Sequence, residues 1–287
     1  MKIIKFVLLV CCILNLPLRL YCQGLDSTFY SIEDAIKEPT KVKTLNLPSK
    51  SYKKIPQEVF LFPHLEVLYL DNNDIRSIPN DIIKLTKLNT LILSHNNLRY
   101  VSSRLKDLKH LKYLDLSDNN LSKVPFEISS LKYLETIILN NNSITDCSFR
   151  SRSIKKIIAN FNKITSINGS FFSQYPNLQV LSLISNRIKK LPDNIRSAKN
   201  LKHLNLSNNQ LQFIPEMLLE LDNLEILRLG KNHIKEIPAK LYDSKIQLVI
   251  LSENPIPVGK IKNRIFSENG KQIIIQEILE GYEYLPE

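Results

Sequence analysis

Apolar residues recur along this chain at fixed intervals. Leu65, Leu88, Leu111 and Leu134 lie 23 residues apart, and each opens the string L-x-x-L-x-L-x-x-N-x-L. The string starts again at Ile154, Leu178, Leu201, Leu224 and Ile246, and a first copy starts at Val42, making ten copies. Within each copy the x-L-x-L stretch has period two, the pattern of a strand with its leucines on one face. The remainder shifts to apolar spacings of three, as in Ile82, Leu85 and Leu88, and predicts a turn of α- or 3₁₀-helix. A single copy cannot cover both apolar faces. Stacked copies can, with each leucine contributing roughly 1.5–3 kcal/mol on full burial.

One polar position is as regular as the leucines. Nine copies carry asparagine at the ninth place: Asn73, Asn96, Asn119, Asn142, Asn162, Asn186, Asn209, Asn232 and Asn254, with Lys50 there in the first copy. Each strand-to-loop corner turns inward and leaves backbone groups in need of partners. A carboxamide both donates and accepts, so a structural asparagine ladder is expected.

These residues resemble the leucine-rich repeat family. An apolar residue followed by proline closes many copies, at Ile55-Pro56, Ile78-Pro79, Val124-Pro125, Leu191-Pro192, Ile214-Pro215 and Ile237-Pro238, which is similar to the bacterial L-P-x-x-I-x-x-L variety. The resemblance implies an α/β solenoid, a horseshoe with a parallel β-sheet on its concave face and short helical or 3₁₀ segments on its convex face. It also implies a binding module recognising another protein, including a host molecule, with no cofactor and no enzymatic activity.

The ends read differently. Lys2 and Lys5 precede an apolar run over 6–16, a basic region and a core of signal-peptide length. That run is too short to span a bilayer, which needs about 20 apolar residues. Residues 1–22 are therefore expected to be a leader, with cleavage as late as 24 the alternative, and the protein secreted or displayed at the cell surface. Cys22 also allows a lipid anchor, although Arg19, Leu20 and Tyr21 fit that motif poorly. Residues 23–41 are expected to cap the first copy, with Ser31 starting a short helix stopped by Pro39. Copies occupy 42–257, and 258–287 is expected to cover the far end.

Charge narrows the partner. The chain carries +11, and removing Lys2, Lys5 and Arg19 with the leader leaves about +8, an excess that favours acidic partners. Strand positions beside the leucines include Val67, Tyr69, Ile92, Tyr113, Asp115, Ile138 and Ile158, either an outward docking patch or residues chosen by strand propensity. Around them, copies two to five place Glu66, Asp71, Asp115, Asp118 and Glu135 against Lys112, while copies six to nine place Lys155, Lys156, Lys202, Arg228 and Lys231 against Glu225. A bipolar face of this kind would orient a protein ligand on a monomer. The rival expectation is a polyanion binder (anionic polysaccharide or lipid head groups), or a self-associating surface protein; no nucleic-acid partner and no transmembrane span are expected.

The period breaks in the middle. Ile154 follows Leu134 by 20 and Leu178 follows Ile154 by 24; the short copy carries Arg150, Arg152, Lys155 and Lys156. This is either a loop variant with solvated charge or a kink presenting a basic patch. His64, His95, His110, His203 and His233 form no zinc-spaced motif. Cys147 falls in the register of Ile78, Val101 and Val124 and is expected to be a core residue.

Overall fold

Every alternating triplet forms a three-residue strand. The structure, a computed structural model, describes residues 27–257, 265–268 and 271–274. The leader, Cys22 and most of the tail expected to form a cover lie outside the described residues. Strands β2 (Thr44–Asn46), β3 (Val67–Tyr69), β4 (Thr90–Ile92), β5 (Tyr113–Asp115), β6 (Thr136–Ile138), β7 (Lys156–Ile158), β8 (Val180–Ser182), β9 (His203–Asn205), β10 (Ile226–Arg228) and β11 (Leu248–Ile250) pair in chain order, all parallel. Register never slips: Leu45 pairs Leu68, Leu68 pairs Leu91, and Leu91 pairs Leu114. Those central residues point into the core and are buried along the whole sheet.

The two ends carry additional strands. β1 (Thr28–Phe29) joins β2 in parallel, followed by the one-turn helix α1 (Ile32–Ala35), whose first amides are capped by Ser31 through a 3.1 Å bond from Asp34 N–H. At the far edge β13 (Lys271–Ile274) pairs with β11, and β12 (Ile265–Glu268) folds back antiparallel on β13. The hairpin places a short antiparallel pair over what would otherwise be an open edge.

The proline register sets the convex side. Pro56, Pro79, Pro125, Pro192 and Pro215 each precede a 3₁₀ turn, respectively Gln57–Leu61, Asn80–Lys84, Phe126–Ser130, Asp193–Ser197 and Glu216–Glu220. Proline suits that place because its fixed φ and missing N–H cost nothing at a helix start. Ser102 does the same for Ser103–Asp107 with its hydroxyl.

Asparagine binds coil to coil. Asn119 shows the pattern: Nδ2 donates to the carbonyls of Leu93 (2.9 Å), Leu116 (3.2 Å) and Ser117 (2.9 Å), while Oδ1 accepts from Leu98 N–H (2.8 Å). Leu93 and Leu98 belong to the preceding copy. Asn73, Asn96, Asn142, Asn186, Asn209 and Asn232 repeat both kinds of bond, and Asn73 accepts from Lys50 and Tyr52 N–H where the first copy has no asparagine. Each ladder asparagine follows a residue in the left-handed region, from Asn72 (φ 54) through Phe161 (φ 55) to Glu253 (φ 57). In that conformation the residue's N–H reaches the next coil, as from Asn72 to Ser94 O.

The short copy has a different interior. No helical turn lies between β6 and β7, and the next copy supplies helix α2 (Phe171–Gln174). The missing volume is filled by rings: Phe171 lies 5.1 Å from Phe172 and 4.7 Å from Tyr175, and Tyr175 lies 5.1 Å from Phe149, all edge to face. Tyr175 Oη accepts from Phe149 N–H at 2.7 Å, so the buried hydroxyl has its partner. Cys147, 1% exposed, packs in the same core, and burial pushes its thiol up to about 12. The thiolate a nucleophile needs is therefore scarce at neutral pH.

Candidate protein-docking face

The first and third residue of every strand point away from the core onto the concave face. They form two rows. One runs Val67, Thr90, Tyr113, Thr136, Lys156, Val180, His203, Ile226 and Leu248; the other runs Tyr69, Ile92, Asp115, Ile138, Ile158, Ser182, Asn205, Arg228 and Ile250.

In the N-terminal half these side chains close on one another. Ile92, Tyr113, Ile138 and Ile158 form a second apolar cluster, separate from the core, with Tyr69 packed against it. Strands about 4.8 Å apart bring neighbouring side chains into contact, and the cluster residues are only 5–9% exposed. Val67 is buried as well. This part of the expected patch therefore offers little free apolar surface.

Asp115 lies in the middle of that cluster, between Ile92 and Ile138, and is half-buried. Burial raises its carboxyl above the ordinary range, while bonds from Ser117 pull the other way; Ser117 N–H donates at 2.9 Å. Asp115 makes no ion pair among the described residues.

The bipolar field expected from the sequence is reduced by local pairing. Glu66 meets Lys43 at 3.8 Å, Glu135 meets Lys155 at 3.0 Å, Lys202 meets Glu225 at 3.5 Å, and Lys231 meets Glu253 at 3.3 Å. Asp118 lies 3.5 Å from His95. The partners stand one coil apart at the same register place, which a count within each half cannot reveal. Arg228 makes no ion pair among the described residues. Lys156 is half-buried at the start of β7.

The C-terminal half is more open. Val180, Ile226, Leu248 and Ile250 are half-exposed, interleaved with His203, Asn205 and Arg228. His203 is held below the ordinary histidine value, first by burial and then by Arg228, Lys202 and Lys156, with Glu225 opposing. Reading the strand positions of β8 to β11 would have found these four aliphatic residues; attention to charge in that half passed over them. Phe161 stands at the rim, 54% exposed in the left-handed region.

Leucine-rich repeat family models match residues 40–98 and 152–211, and a two-copy model matches 109–151 and 199–241. The chain belongs to the leucine-rich repeat family. Solved structures share the fold. The functional domain of InlJ from Listeria monocytogenes, which includes a cysteine ladder, is 21% identical over 77% of this leucine-rich repeat chain and 46% of its own, with a TM-score of 0.64. The leucine-rich repeat domain of APL1B is 19% identical over 88% and 92%, with a TM-score of 0.59. The plant peptide hormone receptor RGFR1, in complex with RGF2, is 26% identical over 70% of this chain, with a TM-score of 0.56; the match spans 34% of that receptor chain. No curated protein sequence matches. Leucine-rich repeat domains are generally non-enzymatic and commonly bind proteins. Among the described residues no helix is long and apolar enough to cross a membrane, and no His, Cys, Asp and Glu side chains gather to hold a metal ion.

Proposed function

We propose that this leucine-rich repeat chain is an exported binding module that docks another protein on its concave sheet. In this reading residues 1–22 are the leader, and 23–41 and 258–287 cover the two ends of the solenoid. The supporting observation is the open half of the concave face, where Val180, Ile226, Leu248 and Ile250 stand half-exposed around Arg228. Aliphatic anchors beside an arginine that makes no ion pair among the described residues suit a protein interface, because arginine is enriched at such interfaces and apolar anchors supply burial. The closed half adds Asp115, a half-buried carboxylate suited to a partner's lysine or arginine. The partner therefore meets an acidic, apolar-ringed point at one end and an arginine with aliphatic flanks at the other.

The test is capture from host and bacterial extracts with the mature protein, repeated with Ile226→Asp/Ile250→Asp and Asp115→Lys variants of unchanged melting behaviour. A captured protein should lose at least about tenfold in affinity with each concave variant. Equal capture by all of them would rule the face out as the interface.

A further inference from the structure

The basic cluster of the short copy does not stay together in the fold. Lys155 and Lys156 go to the concave side, where Lys155 pairs with Glu135. Arg150 and Arg152 instead line a recess of about 620 Å³ with Ser173, Gln174 and Pro176. The recess follows from the repeat arithmetic: the short copy brings no helical turn, so the convex row is interrupted between Phe126–Ser130 and α2. Both arginines are exposed, and neither makes an ion pair among the described residues. Gln174 Nε2 donates one bond to Ser170 Oγ (2.8 Å), which leaves its second N–H available to a ligand.

This recess is part of a line. Arg152 stands two residues before the start of its copy, and Lys109, Lys132 and Lys199 hold the same place in theirs, with Pro176 intervening. None of these lysines makes an ion pair among the described residues. Neighbouring rungs are about 4.8 Å apart. From Arg152 to Lys199 the turns are tied together, since Asn177 Nδ2 donates to Arg152 O (2.7 Å), Asn200 Nδ2 to Pro176 O (2.8 Å) and Asn223 Nδ2 to Lys199 O (2.7 Å). The line ends at Asp222, which Lys245 neutralises at 2.6 Å.

We infer that this edge binds a linear sulfated polysaccharide, one sulfate ester seated between Arg150 and Arg152 and neighbouring sulfates on Lys132, Lys109 and Lys199. Guanidinium groups take a tetrahedral oxyanion by paired N–H bonds, which singles out the recess as the tightest subsite. A stiff row of cations a rung or two apart matches a chain with oxyanions at short regular intervals. With residues 1–22 read as a leader, export would bring the protein to where such polysaccharides occur. The site lies outside the concave rows and does not depend on the proposed docking there.

The experiment is calorimetric titration with a sulfated heparin octasaccharide and its desulfated counterpart, alongside a single-stranded oligonucleotide of equal charge. The sulfated chain should bind, weaken as salt rises, and weaken at least about tenfold with Arg150→Glu/Arg152→Glu. Arg150→Lys/Arg152→Lys, which keeps charge but not the paired geometry, should fall between. Lys202→Glu/Arg228→Glu, an equal charge change on the concave face, should leave binding within about twofold. The inference is overturned if the parent does not bind, if the concave variant loses as much as the recess variant, or if the oligonucleotide binds as tightly as the octasaccharide.

Discussion

Replacing Asn119 with leucine adds apolar volume to a buried place, and it should still destabilise. Asn119 is buried and makes four bonds. Its three carbonyl acceptors are shared. Leu93 O also accepts from Asn96, Leu116 O from Asn142, and Ser117 O from His95 N–H. Losing Asn119 Nδ2 therefore weakens those groups without stranding them. Leu98 N–H is different, because its bond to Asn119 Oδ1 has no replacement in a residue that is fully buried. One stranded buried amide costs about 1–3 kcal/mol, and three weakened acceptors add roughly 0.5–1.5 kcal/mol each. Leucine returns at most about 2–3 kcal/mol of burial. Taking the middle of each range, a cost of about 5 kcal/mol against a return of about 2.5 kcal/mol leaves a loss of about 2–3 kcal/mol, to be read from urea unfolding followed by circular dichroism. Hydrogen exchange locates the effect: the Leu98 amide should lose protection more than the amides of β9. Asn119→Asp, which accepts but cannot donate and sets a carboxylate against three carbonyl oxygens, should be worse than leucine. An unchanged midpoint for Asn119→Leu, or aspartate tolerated better than leucine, would refute the account of the ladder.

Four further expectations concern single side chains. Tyr175→Phe strands Phe149 N–H in the core and should cost about 1–3 kcal/mol in the same unfolding assay. Phe161→Asn should raise stability by roughly 1 kcal/mol, since asparagine tolerates φ 55 better than an aromatic residue and the ring is largely in solvent. Cys147 should be silent to an aromatic disulfide reagent at pH 8 until denaturant is added, because its thiol is buried and its pKa stands near 12. Asp115 binds its proton more tightly folded than unfolded, so its contribution favours the fold below the ordinary value of 3.8 and is lost as pH rises through the higher folded value. Asp115→Asn should accordingly raise stability at pH 7, and melting curves at pH 3 and pH 7 should show the gain fading at the acid end.

Much of this fold is written in one-dimensional spacing. Leucine period, proline place and ladder asparagine each mark a local geometry that repeats, so position in the string fixes strand, turn and inward corner. Properties made between coils are harder to read. Glu135 and Lys155 lie 20 residues apart, and only stacking sets them 3.0 Å from each other. The same holds for the concave patch: Ile92 and Ile138 are visible as strand residues, but their closure around Tyr113 depends on side-chain reach across neighbouring rungs. Tyr175 holds the periodic apolar place of Leu85, Leu108 and Leu131, so its burial is legible, but the bond from Phe149 N–H to its hydroxyl exists only after the short copy is stacked. The second set of linking asparagines, Asn177, Asn200 and Asn223, stands immediately before its copies and shows a clear 23-residue spacing. It was there to be seen once a file other than the leucines was followed.

The ladder has a direction. Each asparagine receives an amide from the coil made before it, as Asn142 does from Leu121 and Asn209 from Ile188. A nascent chain leaving the ribosome thus finishes each turn only when the following one arrives, and growth proceeds by sealing backwards. Truncation from the C-terminus leaves the new last coil with an inner-corner amide lacking its acceptor, whereas trimming from the front leaves the new first asparagine without its donor and frees two strand amides, as Glu135 and Thr136 N–H would lose Lys112 O.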